Sequence, residues 1–477
     1  MKALAKVLLL FVCLGCTFAH AQISSFQHVV VIFQENRTPD NLFQGLCTTA
    51  NLCSTTPTTS QYNIQTSNWL DKASPTGVTQ PGPVPLANAY DLGHSHKSFT
   101  TQCDVDATTA GCKMDGAAGV ACSGTCPAKP QFKFVDNSTG TLNPYLTLAR
   151  QYGWANFMFQ TNQGPSFPAH QFIFGATSAP SLMDDHIGTF ASENMSGTGT
   201  GAGCIAQSGV LVQLIDSNGV EDPNNKIFPC FEHDTVADLL KPRSISWRYY
   251  TPGAGSIWTG PNAINHICQP INGQCTGPDW VNNVDLKPAD VLTDVSSPTC
   301  NLRQVSWVIP TGQNSDHARS NTGGGPSWVA SIVNAIGTST CKNPDGSSYW
   351  DTTAIFITWD DWGGWYDHEP PTILAAPQGG YQLGFRVPMI VVSAFTPAGL
   401  INNNRHDFGS ILRFVEHNFG IPEGSLTFAD ARATNDLTGF FRLNQTPRPF
   451  QPIPSALTAA AFINDKTPPI DPDDDDD

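Results

Sequence analysis

The chain has 477 residues, 40% of them apolar and 13% charged, with a formal net charge of −16. Such an acidic surface excludes a nucleic-acid binder and offers no polybasic patch to an anionic membrane. The composition also excludes a coiled coil or a disordered chain, and the length is ample for a large core in one big domain or two.

Residues 1–21 read as a secretory signal. Lys2 and Lys6 form the positive start, Val7 to Leu14 the apolar centre, and Ala19-His20-Ala21 a small-residue cleavage site. The mature chain is therefore expected to be secreted, extracellular or periplasmic. The apolar centre is too short to span a bilayer, and no later stretch is long and apolar enough for a transmembrane segment. Leu14-Gly15-Cys16 loosely resembles a lipidation site, but Cys13 spoils that pattern. Of the 14 cysteines, Cys13 and Cys16 go with the signal, and the even number left in an exported chain suggests disulfides. Near-neighbour spacing suggests Cys47–Cys53, Cys103–Cys112, Cys122–Cys126 and Cys268–Cys275, with Cys204–Cys230 and Cys300–Cys341 closing longer loops, although sequence does not fix connectivity. A zinc cluster is disfavoured, because no paired C-x-x-C sits at finger spacing.

After the signal, His28 to Phe33 (HVVVIF) reads as a strand buried on both faces, and it runs directly into Gln34, Glu35 and Asn36. Residues 45–130 turn to Gly, Thr, Ser, Pro and six cysteines, an irregular disulfide-stapled insertion that also holds His94 and His96. Apolar spacing predicts a helix over Leu142 to Tyr152, then a strand from Trp154 to Phe159. In Gln163-Gly164-Pro165-Ser166-Phe167-Pro168-Ala169-His170, Ser166 near an N-cap and Pro168 in the first turn mark a helix start. Residues 192–300 form a second mixed stretch, with a helix near Thr235 to Leu240 and a strand at Ile245 to Tyr250. Val305 to Ile309 is another buried strand, followed by a polar loop with Asp316 and His317, and Ser327 to Ile336 is a helix.

Thr353 to His368 (TAIFITWDDWGGWYDH) is the stretch around which the rest is organised. Its apolar run is again a parallel-type strand, ending in Asp360 and Asp361 before Gly363 and Gly364 break the backbone. A further strand at Val387 to Ala394 and an amphipathic helix at Phe408 to Phe419 complete the alternation expected of an α/β fold with a largely parallel sheet. The division expected is one catalytic domain over 22–464, with insertions near 45–130 and 192–300, and an acidic disordered tail over 465–477.

In such a sheet the polar groups after each strand face one crevice. Adjacent carboxylates there repel unless a cation or a shared proton holds them. Glu35, the Asn36 amide oxygen, Asp360 and Asp361 make an oxygen cage suited to magnesium, calcium or manganese, or to zinc with nitrogen help. Ser166 at a helix N-terminus would be the nucleophile, with His317 as acid for the leaving oxygen and His94 or His96 as phosphoryl donors. Taken singly, each piece also reads blandly: a capped turn, a serine cap, a solvated histidine.

Val30-Val31-Ile32-Phe33-Gln34-Glu35-Asn36-Arg37 resembles the opening motif of the bacterial phosphoesterase family that holds phospholipases C and acid phosphatases. The segment from Gly164 to His170 resembles its nucleophile segment, and Ser315-Asp316-His317 and Trp359 to His368 its later motifs. Phe385-Arg386-Val387-Pro388-Met389 and Phe408-Gly409-Ser410-Ile411-Leu412 are similar to its closing segments. The resemblance implies an alkaline-phosphatase-like three-layer α/β/α core. It also implies metal ligands at Glu35, Asn36, Asp360 and Asp361, a phosphorylated Ser166, and catalytic histidines at His317, His96 and His368. Ser166 and the Asp360-Asp361 pair place the chain nearer the acid phosphatase branch, since the phospholipase C branch commonly shows threonine and Asp-Glu. The substrate implied is a phosphate ester, with phospholipid headgroups as the alternative, for which Trp362, Trp365 and Tyr366 are candidate choline-binding aromatics. A sulfatase is disfavoured, because Ser166-Phe167-Pro168-Ala169-His170 lacks the arginine of C/S-x-P-x-R. A calcium-stabilised binding module and a retaining glycosidase are the remaining alternatives. Metal identity, disulfide connectivity and oligomeric state stay open at this level.

Overall fold

A computed structural model describes residues 25–49, 51–196, 200–374, 381–427, 432–433 and 435–470. The signal peptide expected over residues 1–21 and the aspartates from Asp471 onward lie outside the described residues. Eight strands form the central sheet: β1 (His28–Gln34), β2 (Gly153–Met158), β3 (Trp247–Tyr250), β4 (Val284–Asp285), β5 (Val305–Val308), β6 (Thr353–Trp359), β7 (Met389–Val392) and β8 (Leu400–His406). Their spatial order is β4-β3-β5-β1-β6-β7-β2-β8, and β7 alone runs against its neighbours. The apolar runs at β1, β5 and β6 adopt this parallel arrangement because both of their faces are covered.

What covers them follows from the two-residue alternation of side chains. Phe33 of β1 meets Phe408 of helix α4 (Phe408–Phe419), with ring centroids 5.5 Å apart. In register with Val31, on the same face, Phe356 of β6 meets Phe414 of α4. Trp307 of β5, also paired with Val31, meets Phe174 of α2 (Ser166–Gly175). Trp359 points the other way onto Tyr145 of α1 (Asn143–Gln151), which packs with α3 (Gly325–Gly337). Helices therefore lie on both faces, and the three-layer α/β/α architecture expected from sequence is the one present.

All six expected disulfides are formed. No helix among the described residues is long and apolar enough to cross a membrane. Three features differ from the sequence reading. The first insertion is less irregular and less superficial than expected: it contains a helix, His96–Cys103, and buries Trp69, Leu92 and Phe99 against the loop after β6. The second stretch holds a three-stranded antiparallel sheet (Phe190–Ser196, Leu211–Ile215 and Glu221–Ile227) and also supplies β3 and β4 to the central sheet. Finally, within the stretch expected to be a loose tail, residues 465–470 are exposed but tethered at two points, where the Gln313 amide donates to Pro468 O and accepts from Ile470 N–H.

Candidate active site

β1 and β6 are adjacent and parallel, so the residues following them emerge side by side. The two ends are stitched together: Asp360 N–H donates to Gln34 O (2.9 Å), Asn36 N–H to Asp360 Oδ1 (3.0 Å) and Arg37 N–H to Asp361 O (3.0 Å). Asn36 adopts φ +61° to make this turn, a conformation that asparagine tolerates better than most residues. Gly363 (φ +62°) donates its N–H to Asp361 Oδ1 at 2.6 Å, and a Cβ there would strike the Asn36 carbonyl. Gly363→Ala is therefore expected to destabilise the fold by about 1–3 kcal/mol and to displace Asn36. A thermal melt, with metal affinity measured beside it, checks both effects.

Ser166 is the first residue of α2, with Pro165 at the N-cap, and its Oγ lies 3.5 Å from Asp361 Oδ2. One turn later on the same face, His170 presents Nε2 to Glu35 Oε1 at 3.5 Å and to Asp360 Oδ2 at 4.0 Å. Glu35, Asn36, Asp360, Asp361 and His170 are fully buried. Yet both Glu35 oxygens, Asn36 Oδ1, Asp360 Oδ2 and His170 Nε2 have no hydrogen-bond partner. Buried polar atoms are ordinarily paired, so five such atoms on four residues, at the ends of β1 and β6 and in α2, need an explanation. Burial, then the Asp360, Asp361 and Glu193 carboxylates, push the Glu35 carboxyl well above the usual carboxylate range. Asp360 is held low despite its burial by Glu35, His170, Ser166 and the Asn36 amide, and burial depresses His170 to about 4. Clustered carboxylates, an amide oxygen and an unprotonated imidazole fit a divalent cation. Glu35, His170 and Asp360 place ligand atoms within 4.8 Å of one another.

The histidines named from sequence fall into three places. His94 accepts from Asn36 Nδ2–H at 2.9 Å and donates from Nδ1 to Leu92 O at 2.7 Å. That contact fixes the Asn36 amide with its Nδ2 on His94 and its Oδ1 left without a hydrogen-bond partner. His317 lies beside it, ring centroids 5.8 Å apart, with Nδ1–H donating to Ala318 O. His96 reaches the carbonyls of Gln163 and Gly219 with its two nitrogens, tying the first insertion to the second. His368 is committed to a separate network: Asp40 Oδ2 (2.7 Å) and Asn63 Oδ1 (2.9 Å), with Asp40 and Asp367 also paired to the buried Arg386. The structure thus brings Ser166, Glu35, Asn36, Asp360, Asp361 and His317 to one sheet edge and leaves His96 and His368 in the walls around it. The loop aromatics pack and line no cage: Trp362 donates to Gln102, Trp365 lies under Arg37 and Tyr366 stacks on Trp69.

Two site residues escaped the sequence reading. His170 was signalled by its i, i+4 spacing from Ser166. Glu193, in the strand Phe190–Ser196, had no such signal, yet its carboxylate accepts the Phe167 N–H at the start of α2. The anion that meets the Phe167 N–H at this helix N-terminus is thus the protein's own.

The chain matches the Phosphoesterase family over residues 26–422. It belongs to the phosphoesterase family. The matched span contains every motif from Val30 to Leu412 on which the resemblance rested. This phosphoesterase is 23% identical over 473 residues to "Phospholipase C A" of Mycobacterium tuberculosis, covering 90% of this chain and 80% of that protein. It is 26% identical over 271 residues to "Non-hemolytic phospholipase C" of Pseudomonas aeruginosa, covering 51% of this chain and 38% of that one. The match thus spans well under two thirds of the Pseudomonas protein. Among solved structures, a Vibrio parahaemolyticus protein in the alkaline phosphatase superfamily aligns over 62% of this chain and 64% of its own, at 13% identity and a TM-score of 0.34.

Proposed function

We propose that this phosphoesterase is an exported, metal-dependent hydrolase of phosphate esters that works through a phosphoserine at Ser166. The observation that carries the reading is the set of unpartnered buried atoms on Glu35, Asn36, Asp360 and His170, set beside a serine hydroxyl at a helix start. Glu35, Asn36, Asp360 and Asp361 would hold a divalent cation, which when bound lowers the serine hydroxyl's pKa and offsets charge on the phosphoryl oxygens. Ser166 gives its hydroxyl proton to the Asp361 carboxylate, 3.5 Å away, as its Oγ attacks phosphorus; the Oγ–P bond forms and the ester P–O bond breaks. His317 gives a proton to the departing oxygen. Water then opens the phosphoserine, giving one proton to His317 as phosphate or a phosphorylated headgroup is released, and Ser166 Oγ takes its own proton back from Asp361. His94 keeps Asn36 aimed through both halves, and burial of the cluster keeps bulk water from screening it. The disulfides accord with an oxidising compartment.

A panel of phosphate monoesters, diesters and phosphatidylcholine, assayed with and without chelator, tests the reading. Turnover of at least one class, lost on chelation, is expected. No hydrolysis by metal-replete protein would leave a calcium-stabilised binding module, and cleavage of glycosides alone would leave a glycosidase.

A second reading, phospholipase C, is favoured by the relatives' names and by Glu193. A buried carboxylate beside the nucleophile opposes a dianionic monoester more than a monoanionic diester, and suits a cationic headgroup. Glu193→Gln is expected to raise kcat/KM for monoesters relative to diesters by roughly tenfold, about 1.4 kcal/mol of relieved repulsion. An unchanged ratio removes Glu193 from substrate discrimination.

A further inference from the structure

We propose that His170 is itself a ligand of the cation, its Nε2 lone pair fixed by Tyr249, and that the site therefore selects a transition metal of the zinc class over magnesium or calcium. This rests on the metal-dependent reading above and specifies the class of ion which that reading needs.

The inference follows from where one hydrogen can go. His170 Nδ1 lies 3.2 Å from the hydroxyl of Tyr249, on β3. That hydroxyl also lies 3.0 Å from Trp258 O, and a carbonyl can only accept, so the single phenolic hydrogen is spent there. The Tyr249 oxygen must then accept from His170 Nδ1–H, as it does from Gly260 N–H at 3.4 Å. A neutral imidazole protonated on Nδ1 carries its lone pair on Nε2. Nε2 is the atom that faces Glu35 Oε1 and Asp360 Oδ2 at 3.5 and 4.0 Å, and it makes no hydrogen bond to either. Three electron-pair donors turned toward one another repel unless a cation or a shared proton joins them, and a proton held between Glu35 and Asp360 would still leave Nε2 without a partner.

The spacing fits. Two ligands bonded to one ion at about 2.0–2.2 Å stand no more than about 4.4 Å apart, and both separations fall inside that limit. The ring is also held against rotation: Trp258 stacks on it at 6.4 Å between centroids, and Phe33 packs at 5.4 Å. A fixed imidazole among carboxylates changes the preference of the cage, since magnesium and calcium take oxygen ligands whereas imidazole suits zinc and its neighbours.

The test uses the full chain stripped of metal and titrated with Co2+ by visible absorption, with Zn2+ by competition and Mg2+ and Ca2+ alongside. Co2+ and Zn2+ are expected to bind more tightly than Mg2+ or Ca2+. His170→Ala should weaken Co2+ and Zn2+ at least about 100-fold and shift the absorption bands, and Tyr249→Phe, which frees the tautomer, about tenfold. Co2+ binding by His170→Ala with the original affinity and spectrum would make His170 a core histidine and overturn the inference, leaving the metal-dependent reading intact. A preference for Mg2+ or Ca2+ would overturn it in the same way. Failure to bind any of the four ions would sink both. Should His170→Ala not fold, [15N]histidine NMR of the unaltered protein decides: a His170 Nε2 resonance that Zn2+ does not move also overturns the inference.

Discussion

Ser166→Ala is expected to remove turnover of a chromogenic phosphate ester by at least about 10^4-fold, because a reaction routed through a covalent serine loses its first step with the hydroxyl. The fold should barely notice. Ser166 is the first residue of α2, where alanine is a good helix former, and its Oγ makes a long 3.5 Å contact with Asp361 beside its interaction with Asp360. A thermal midpoint within a few degrees of the parent would therefore accompany the loss. Acid quenching during turnover should leave phosphate on the peptide containing Ser166 in the parent and none in the variant. Unchanged turnover in the variant would remove the nucleophile from the proposal, and with it the phosphoserine, while the carboxylate cluster would still call for a cation.

The parts of this molecule that were legible in its sequence are those whose cause is local. β1, β5 and β6 are continuous β-branched and aromatic runs because helices cover both of their faces, and such runs betray themselves. The disulfides were legible because most partners are a few residues apart. β8 was missed: LINNNRH pairs only with β2, and an edge strand needs no apolar run. The same limit applies at the site. Glu35, Asn36, Asp360 and Asp361 could be read as a set because each follows a strand directly. His368 follows the same motif, yet its imidazole pairs with Asp40 and Asn63, the first supplied by the short helix just after β1 and the second by the first insertion. No spacing rule reports such a tertiary partner. Glu193 reached the nucleophile through the strand Phe190–Ser196, and the sequence around it carried no recognisable pattern.

Removing the cation with a chelator should abolish activity and lower the melting temperature, and the gap between metal-bound and metal-free protein should shrink as pH falls. An ion bound at 100 to 1,000 times its Kd contributes about 3–4 kcal/mol. The pH dependence comes from Glu35. In the metal-free protein its carboxyl is raised well above the ordinary value of 4.5 by burial and by Asp360, Asp361 and Glu193. Above that raised value, native and unfolded chains are both ionised there, and the native state bears the full repulsion. As pH falls through it the native protein takes up a proton that the unfolded chain does not yet bind, and stability returns. Asp360, held low, stays ionised over this range, and His170, depressed to about 4, stays neutral with or without the ion, so neither alters the gap. Protonation of Glu35 also competes with the metal, which narrows the gap from the other side. Melts with and without chelator from about pH 8 down to about pH 5 measure the effect. A gap that stays constant or widens toward acid would refute Glu35 as the responsive ligand, and a chelator without effect at any pH would mean that no cation stabilises these carboxylates.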